Sequence, residues 1–247
     1  MHDETDLHVS RQLRERGIWE PFETELLRRS LAPGSRFLDV GANLGYFTVL
    51  AAAWVGEAGH VYAFEPEPRN FALLESNVAL NGLSPQTTLS RTALSDNAGS
   101  GRLALHPDNL GDHQLVAHAD AGNTIPVELV AGVDWFAGKE HRLDAVKIDV
   151  QGAEHAVIKG LLPLLAASGA GLHMLVELTP HSLRAAGTSG AELIASLETL
   201  QLPFHIVDHI EHRLVPSTAR ELATWCSNLD AYPEDEGFMN IFLGEAL

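Results

Sequence analysis

Arg36-Phe37-Leu38-Asp39-Val40-Gly41-Ala42-Asn43-Leu44-Gly45 reads as a compact apolar strand that runs into a glycine-punctuated turn and then a helix. Glycines at such a turn let the backbone approach a ligand closely. The N–H groups at the start of the following helix lack partners within it, so the reading predicts an anionic group bound there. A dinucleotide fingerprint would place glycine at 41, 43 and 46, whereas this chain has Gly41, Asn43 and Tyr46. That departure weakens a pyrophosphate reading. The next strand, Val61-Tyr62-Ala63-Phe64-Glu65, ends on an acidic residue 24 positions after Gly41, where a carboxylate in a Rossmann-like sheet can accept from both ribose hydroxyls. A ribose acceptor without a pyrophosphate cradle suits S-adenosylmethionine. The plainer alternatives are that Asn43 only shapes the turn and that Glu65 only caps a helix.

The same grammar continues on both sides of this motif. Residues 8 to 30 carry Leu13, Ile18, Phe22, Leu26 and Leu27 at helical spacing, which predicts one or two amphipathic helices ahead of the sheet. Helices are expected from about Gly45 to Val55 and from Pro68 to Asn81, the latter with prolines at its entry and Asn81-Gly82 at its exit. Residues 86 to 135 lack helical periodicity and read as a third strand followed by a hairpin-like excursion. The alternation resumes with strand 144–150, helix 153–165, strand 172–178 and helix 190–200, and strands 204–207 and 240–243 complete the sheet. Alternating strands and helices imply right-handed crossovers and a mostly parallel α/β sheet. The expected division is a helical segment over 1–32 and one catalytic domain over 33–247.

The chain has 247 residues and a formal net charge of −17, which would repel a phosphate backbone and disfavours nucleic acid as a partner. The uncharged stretch from Val40 to Gly56 is too short and too glycine-broken to span a membrane. One cysteine, Cys226, allows no internal disulfide, and Met1-His2-Asp3-Glu4 has neither the basic start nor the apolar core of a signal peptide. The expected location is therefore the cytoplasm.

Taken together, Phe37 to Tyr46, Phe64-Glu65-Pro66, Asn77 to Asn81, Ala93-Leu94-Ser95-Asp96 and Val146 to Glu154 resemble the FkbM family of methyltransferases over about residues 34 to 180. The resemblance implies a class I methyltransferase fold, with a seven-stranded, Rossmann-like sheet, helices on both faces and an antiparallel final strand. It also implies O-methylation of a hydroxyl on a sugar, polyketide or other small natural product. Carried onto this chain, Asp39, Gly41, Asn43, Gly45 and Tyr46 look like the methionine-side pocket, and Glu65 with Pro66 looks like the ribose side. Ala93, Leu94 and Asp96 look like the adenine wall, and Asp149 like the residue nearest the transferred methyl. Gln151 stands where the family often has Glu, which puts an acid-dependent role there in doubt.

A hydroxyl is a poor nucleophile and benefits from a general base. Asp149 and Glu177 end neighbouring strands, and His113 lies in the polar loop Asn109-Leu-Gly-Asp-His113, so these three are the candidates. His155 and His181 read as ordinary surface or packing residues. Asp149 and Glu177 could instead hold a Mg²⁺ that acidifies the hydroxyl, but no cluster of three or more ligands can be identified, which favours metal-free base catalysis. Two rivals stay open: an NAD-dependent oxidoreductase on a similar sheet, and a non-catalytic module that binds adenosyl ligands. Neither the acceptor nor the oligomeric state can be read from these residues.

Overall fold

The computed structural model describes residues 8–106, 109, 111, 113–116, 123–232, 234 and 237–247. The N-terminal tetrapeptide read for targeting, and Leu110 and Asp112 of the polar loop, lie outside the described residues. Two helices come first, α1 (Val9–Arg16) and α2 (Pro21–Ser30), followed by β1 (Arg36–Val40), α3 (Tyr46–Val55), β2 (His60–Phe64), α4 (Pro68–Leu80) and β3 (Thr87–Ser90). The middle of the chain forms β4 (Ala93–Ser95), β5 (Gly99–Ala104), β6 (Gln114–Val116), β7 (Thr124–Ala131) and the short α5 (Gly132–Phe136). Then come β8 (Ala145–Ile148), α6 (Glu154–Ser168), β9 (His173–Leu178), α7 (Pro180–Ala185), α8 (Gly190–Glu198), β10 (Phe204–Asp208), β11 (Arg213–Ser217), α9 (Ala219–Asp230) and β12 (Met239–Leu243).

The main sheet has the order β11-β10-β12-β9-β8-β1-β2-β3. Strands β3, β2, β1, β8 and β9 are parallel, and the last strand, β12, inserts antiparallel between β9 and β10. This is the class I methyltransferase sheet, and β11 extends it by an antiparallel eighth strand at the edge. The excursion expected over 86–135 is larger than a hairpin. It builds a second sheet of order β4-β7-β5-β6, in which β4 lies parallel to β7 and the other pairs are antiparallel.

Residues alternate between the two faces of the main sheet with the strand period of two. Leu38, Val40, Val146, Ile148, Met174 and Val176 bury one face together with residues of α6, α8 and α9. Phe37, Ala63, Ala145, Leu175 and Phe242 bury the other with residues of α2, α3 and α4. Asp39, Lys147, Asp149 and Glu177 share parity with this second set. Hence the polar residues at the carboxyl edge of the sheet emerge on the α2–α3 side, beneath the N-terminal helices.

Candidate active site

The turn after β1 is built almost wholly from its own hydrogen bonds. Gly41 N–H and Ala42 N–H both donate to the Phe64 carbonyl at 3.0 Å, and Gly45 N–H donates to Ala42 at 2.8 Å. Asn43 N–H donates to Glu65 Oε2 at 2.8 Å, and Leu44 N–H to Asn43 Oδ1 at 2.6 Å. Gly41, Asn43 and Gly45 all adopt positive φ, at 81°, 51° and 89°. The N–H groups of residues 41 to 45 are thus spent inside the protein. An anionic group expected here would therefore have to use the N–H groups of the first turn of α3, from Tyr46 onward, and not those of the turn itself.

Gly41 is required by the neighbouring strand. A Cβ there would lie 1.9 Å from the Asp149 carbonyl oxygen, so the glycine lets the ends of β1 and β8 close together. Gly45 serves similarly against Leu74, at 2.6 Å from its Cδ1. Glu65 is buried and accepts from Asn43 N–H through one oxygen and from Glu67 N–H, at 2.9 Å, through the other. Burial pushes its carboxyl up to about 7, against the pull of these two donors. Each carboxylate oxygen keeps a second lone pair, so Glu65 can hold the turn and still accept from a ligand hydroxyl.

A cavity of about 410 Å³ opens above this turn, within the size range of small-molecule sites. Gly41, Asn43, Tyr46, Glu65 and Pro66 line it on one side. Ala93 and Leu94 of β4 line another, joined by Leu103 of β5 and Leu115 of β6, so the second sheet supplies much of the apolar wall. Asp39, Gly45 and Asp96 do not line the cavity. The Asp39 carboxylate is buried and accepts from Thr48 Oγ1 at 2.6 Å. Asp96 pairs with Lys159 at 2.6 Å, and that hydrogen bond holds its carboxyl below the ordinary range.

All three residues expected to be catalytic line the cavity, and two of them, Asp149 and Glu177, meet on its floor. Lys147 Nζ lies 3.0 Å from Asp149 Oδ2, and Gln151 Nε2 donates both to Asp149 Oδ1 at 3.2 Å and to Glu177 Oε2 at 2.7 Å. Gln151 therefore links the two carboxylates from a strained backbone position, at φ 51°. Burial raises the Glu177 pKa well above the usual carboxylate range, and the nearby Asp149 and Glu154 charges push the same way. Burial opposes the charge on Lys147, but Asp149, Asp39 and Glu20 outweigh it and raise its pKa on balance. Glu154 sits apart: its carboxylate accepts from the N–H groups of Val150 and Gly152 and so caps the turn after β8. His113 lines the cavity, and its Nδ1 accepts from His106 N–H at 3.1 Å. That bond puts the ring proton of the neutral imidazole on Nε2, where it donates and cannot accept.

Glu20 and Phe238 line the cavity without any legible signal in the sequence, and Lys147 lies within the Val146 to Glu154 motif but was given no role there. Glu20 enters from the turn between α1 and α2, and burial together with the Asp149 charge pushes its carboxyl up to about 8. His155, by contrast, bonds Thr188 and Ser196 between α6 and α8, away from the cavity, and His181 is exposed. Among the described residues no group of three or more His, Cys, Asp or Glu side chains is arranged to hold a metal ion. No helix among them is long and apolar enough to cross a membrane.

Comparison with known proteins agrees with this geometry. The chain is 29% identical over 161 residues to 31-O-demethyl-FK506 methyltransferase FkbM of Streptomyces tacrolimicus, covering 53% of this chain and 61% of that protein. It is 28% identical over 160 residues to methyltransferase sdnD of Sordaria araneosa, covering 52% and 61%. In both cases the match spans about three fifths of the relative's length. A crystal structure of a candidate rRNA-methylase from Clostridium thermocellum shares the fold, with a TM-score of 0.53 and 11% identity over 91% of this chain and 94% of that one. Residues 39–201, well over half of the chain, match the Methyltransferase FkbM domain, and the chain belongs to that family.

Proposed function

We propose that this chain is an S-adenosylmethionine-dependent methyltransferase that methylates a hydroxyl oxygen of a small molecule, with residues 33–247 as its catalytic domain. One observation carries the choice of donor. The cavity is lined by the carboxylates of Glu20, Glu65, Asp149 and Glu177, with Lys147 as the one lysine or arginine among its lining residues, while the turn N–H groups are already spent. A pyrophosphate would find the N–H groups of residues 41 to 45 spent and, among the described lining residues, no free lysine or arginine to pair with. A ligand with a ribose and a cationic centre would meet a ribose acceptor and carboxyl groups able to ionise beside it. This argues against the nicotinamide reading.

The residues fit such a donor in an assignable way. Glu65 would accept from the ribose, Asn43 and Tyr46 would border the amino-acid end, and Ala93 and Leu94 would flank the base. When bound, the donor supplies an electrophilic methyl group on a cationic sulfur. What remains for the protein is alignment of the acceptor oxygen and removal of its proton. Glu177 is the better base. Both Asp149 oxygens are engaged, by Lys147 and by Gln151, whereas the raised pKa of Glu177 gives its ionised form greater basicity. The ionised Glu177 carboxylate would take the proton of the acceptor hydroxyl. His113, with Nδ1 occupied, would donate from Nε2 and so orient an acceptor oxygen.

The decisive experiment is titration of the full chain with S-adenosylmethionine, S-adenosylhomocysteine and NAD, followed by a labelled-methyl screen of hydroxylated small molecules and RNA. The adenosyl ligands should bind at micromolar levels, and label should pass to a small alcohol. Tight NAD binding with no adenosyl response, or preferential labelling of RNA, would overturn the proposal.

A further inference from the structure

A second cavity, of about 240 Å³, adjoins the first and is walled by Glu20, Phe22, Glu23, His209, His212 and Phe238, among others. Glu20 and Phe238 line both cavities and so form the partition between them. All six residues lie outside the stretch that matches the family.

The position of Glu20 is fixed by the turn that carries it. Gly17 ends α1 at φ 73°, Pro21 opens α2, and Glu20 between them takes φ 42°. Thr24 Oγ1 donates to the Trp19 carbonyl at 2.9 Å and lies 3.2 Å from the Tyr46 hydroxyl, which ties the turn to α3 and the donor side of the cavity. The Trp19 side chain hydrogen-bonds the Glu20 carboxylate. Across the second cavity, Glu23 is buried, accepts from Asn240 Nδ2 at 3.1 Å and faces His209 Nδ1 at 2.5 Å. Phe22 stacks on His212 with ring centroids 5.7 Å apart, and Phe238 is 60% exposed. The chamber thus combines aromatic faces with carboxylates.

Charge decides what such a chamber takes. Lys147 is engaged by Asp149 at 3.0 Å, and Glu23 has His209 and Asn240. Glu20 has an indole N–H and the more distant field of Lys147, yet it stands among Asp149, Glu23 and Glu177. In the free chain these surroundings keep the Glu20 carboxyl protonated. An anionic acceptor would reinforce that and a neutral one would leave it so, whereas a protonated amine beside Glu20 would let the carboxyl ionise and pair with it.

On the methyl-transfer reading above, we propose that the acceptor lies across the partition, with its reacting hydroxyl at Glu177 and its remote part in the second cavity, and that it is a ring-bearing alcohol carrying a protonated amine held by Glu20. The aromatic faces of Phe22 and Phe238 take the ring.

The test is calorimetry on the full chain saturated with S-adenosylhomocysteine, using three probes that share one ring: methyl glucosaminide, methyl glucoside and glucose phosphate. The amine should bind about ten-fold tighter than the phosphate ester, with the neutral glycoside between them. Glu20→Gln should narrow that spread to under about three-fold, and Phe238→Ala should weaken all three probes, each variant being read at saturating S-adenosylhomocysteine. Equal or tighter binding of the phosphate ester, a spread that survives Glu20→Gln, or no binding of any probe would each overturn the acceptor assignment. Because probe order is first read on the wild-type chain, a variant that failed to fold would still leave the proposal decided. Failure of S-adenosylhomocysteine to bind the wild type would instead sink the methyltransferase reading itself.

Discussion

Glu65 and Glu177 illustrate two uses of a carboxyl group at the edge of the sheet. Glu65 joins the turn to the helix after β2 through Asn43 and Glu67, so its removal should cost structure as well as ribose contact. Glu65→Ala is expected to weaken donor binding by about 1.5–3 kcal/mol and to lower the melting temperature, since two buried N–H groups lose their acceptor. Isothermal titration beside thermal denaturation reads both effects; loss of affinity without any loss of stability would show that the tether is unimportant. For Glu177 the expectation is kinetic. Glu177→Gln should lower turnover by roughly 10²-fold with S-adenosylhomocysteine affinity nearly kept, and His113→Ala should be far milder. If Asp149→Asn proves more damaging than Glu177→Gln at equal donor affinity, the base is Asp149. Chelation followed by Mg²⁺ add-back should leave the rate unchanged; restoration of a lost rate by Mg²⁺ would give both carboxylates to a metal. Most donor-side residues were legible because a glycine-rich turn after a strand and an acid at the next strand end stand at fixed offsets. Glu20 and Phe238 were not, because no spacing rule links a helix-entry residue or a residue before the last strand to a site built elsewhere.

At the scale of elements, glycines mark where backbones touch. Gly160 lies inside α6, and a Cβ there would come within 2.0 Å of the Ser95 carbonyl oxygen, at the end of the β4 strand that carries Ala93 and Leu94. Gly160→Ala should therefore pry the second sheet off α6, destabilise the fold by about 2–4 kcal/mol and weaken donor binding through the displaced wall. Gly171→Ala has no atom within 4 Å of its Cβ and no positive φ, and makes the matched control. Denaturant melts of the two variants decide it: equal stability would show that α6 and β4 yield freely. Strands β1, β2, β8 and β9 were readable because parallel central strands are apolar on both faces and compact. Of the second sheet, the antiparallel β5–β7 pair answers to the hairpin-like excursion, whereas β4 and β6 were not legible, since each is three residues long and takes its burial from its neighbours and, for β4, from α6. Helix α9 was missed although its signal is present. Thr218 and Glu221 form a reciprocal capping box, and Ala219, Leu222 and Cys226 repeat at helical spacing toward the core.

For the whole molecule, buried carboxyl groups set how stability follows pH. Glu20 is pushed up to about 8, and Glu65 and Glu154 to about 7, each chiefly by burial, from 4.5; Glu177 moves in the same direction. The folded chain holds these protons where the unfolded chain has released them. Their contribution to stability is therefore complete below pH 4.5 and is lost as pH rises through 7 to 8. Burial also lowers the pKa values of His60, His155 and His173, which works the other way: that stability is present above pH 6.5 and is lost as pH falls. The carboxyl shifts are large, with Glu65 and Glu154 buried outright, whereas the three imidazoles are partly exposed, so the carboxyl side dominates. A net charge of −17 adds self-repulsion as pH rises. The melting temperature of the ligand-free chain should accordingly fall from about pH 6 toward pH 8. Donor binding then becomes a proton-release reaction. A sulfonium brought into the field of Glu20, Glu65 and Glu177 favours their ionised forms, so S-adenosylmethionine should expel more protons near neutral pH than S-adenosylhomocysteine, which lacks the sulfonium charge. Calorimetry in two buffers of different ionisation enthalpy measures that difference directly. Equal proton release by the two ligands, together with a melting temperature that climbs from pH 6 to 8, would show that these carboxyl groups are already ionised in the free protein, and that the cavity does not hold its charge in reserve for a cationic donor.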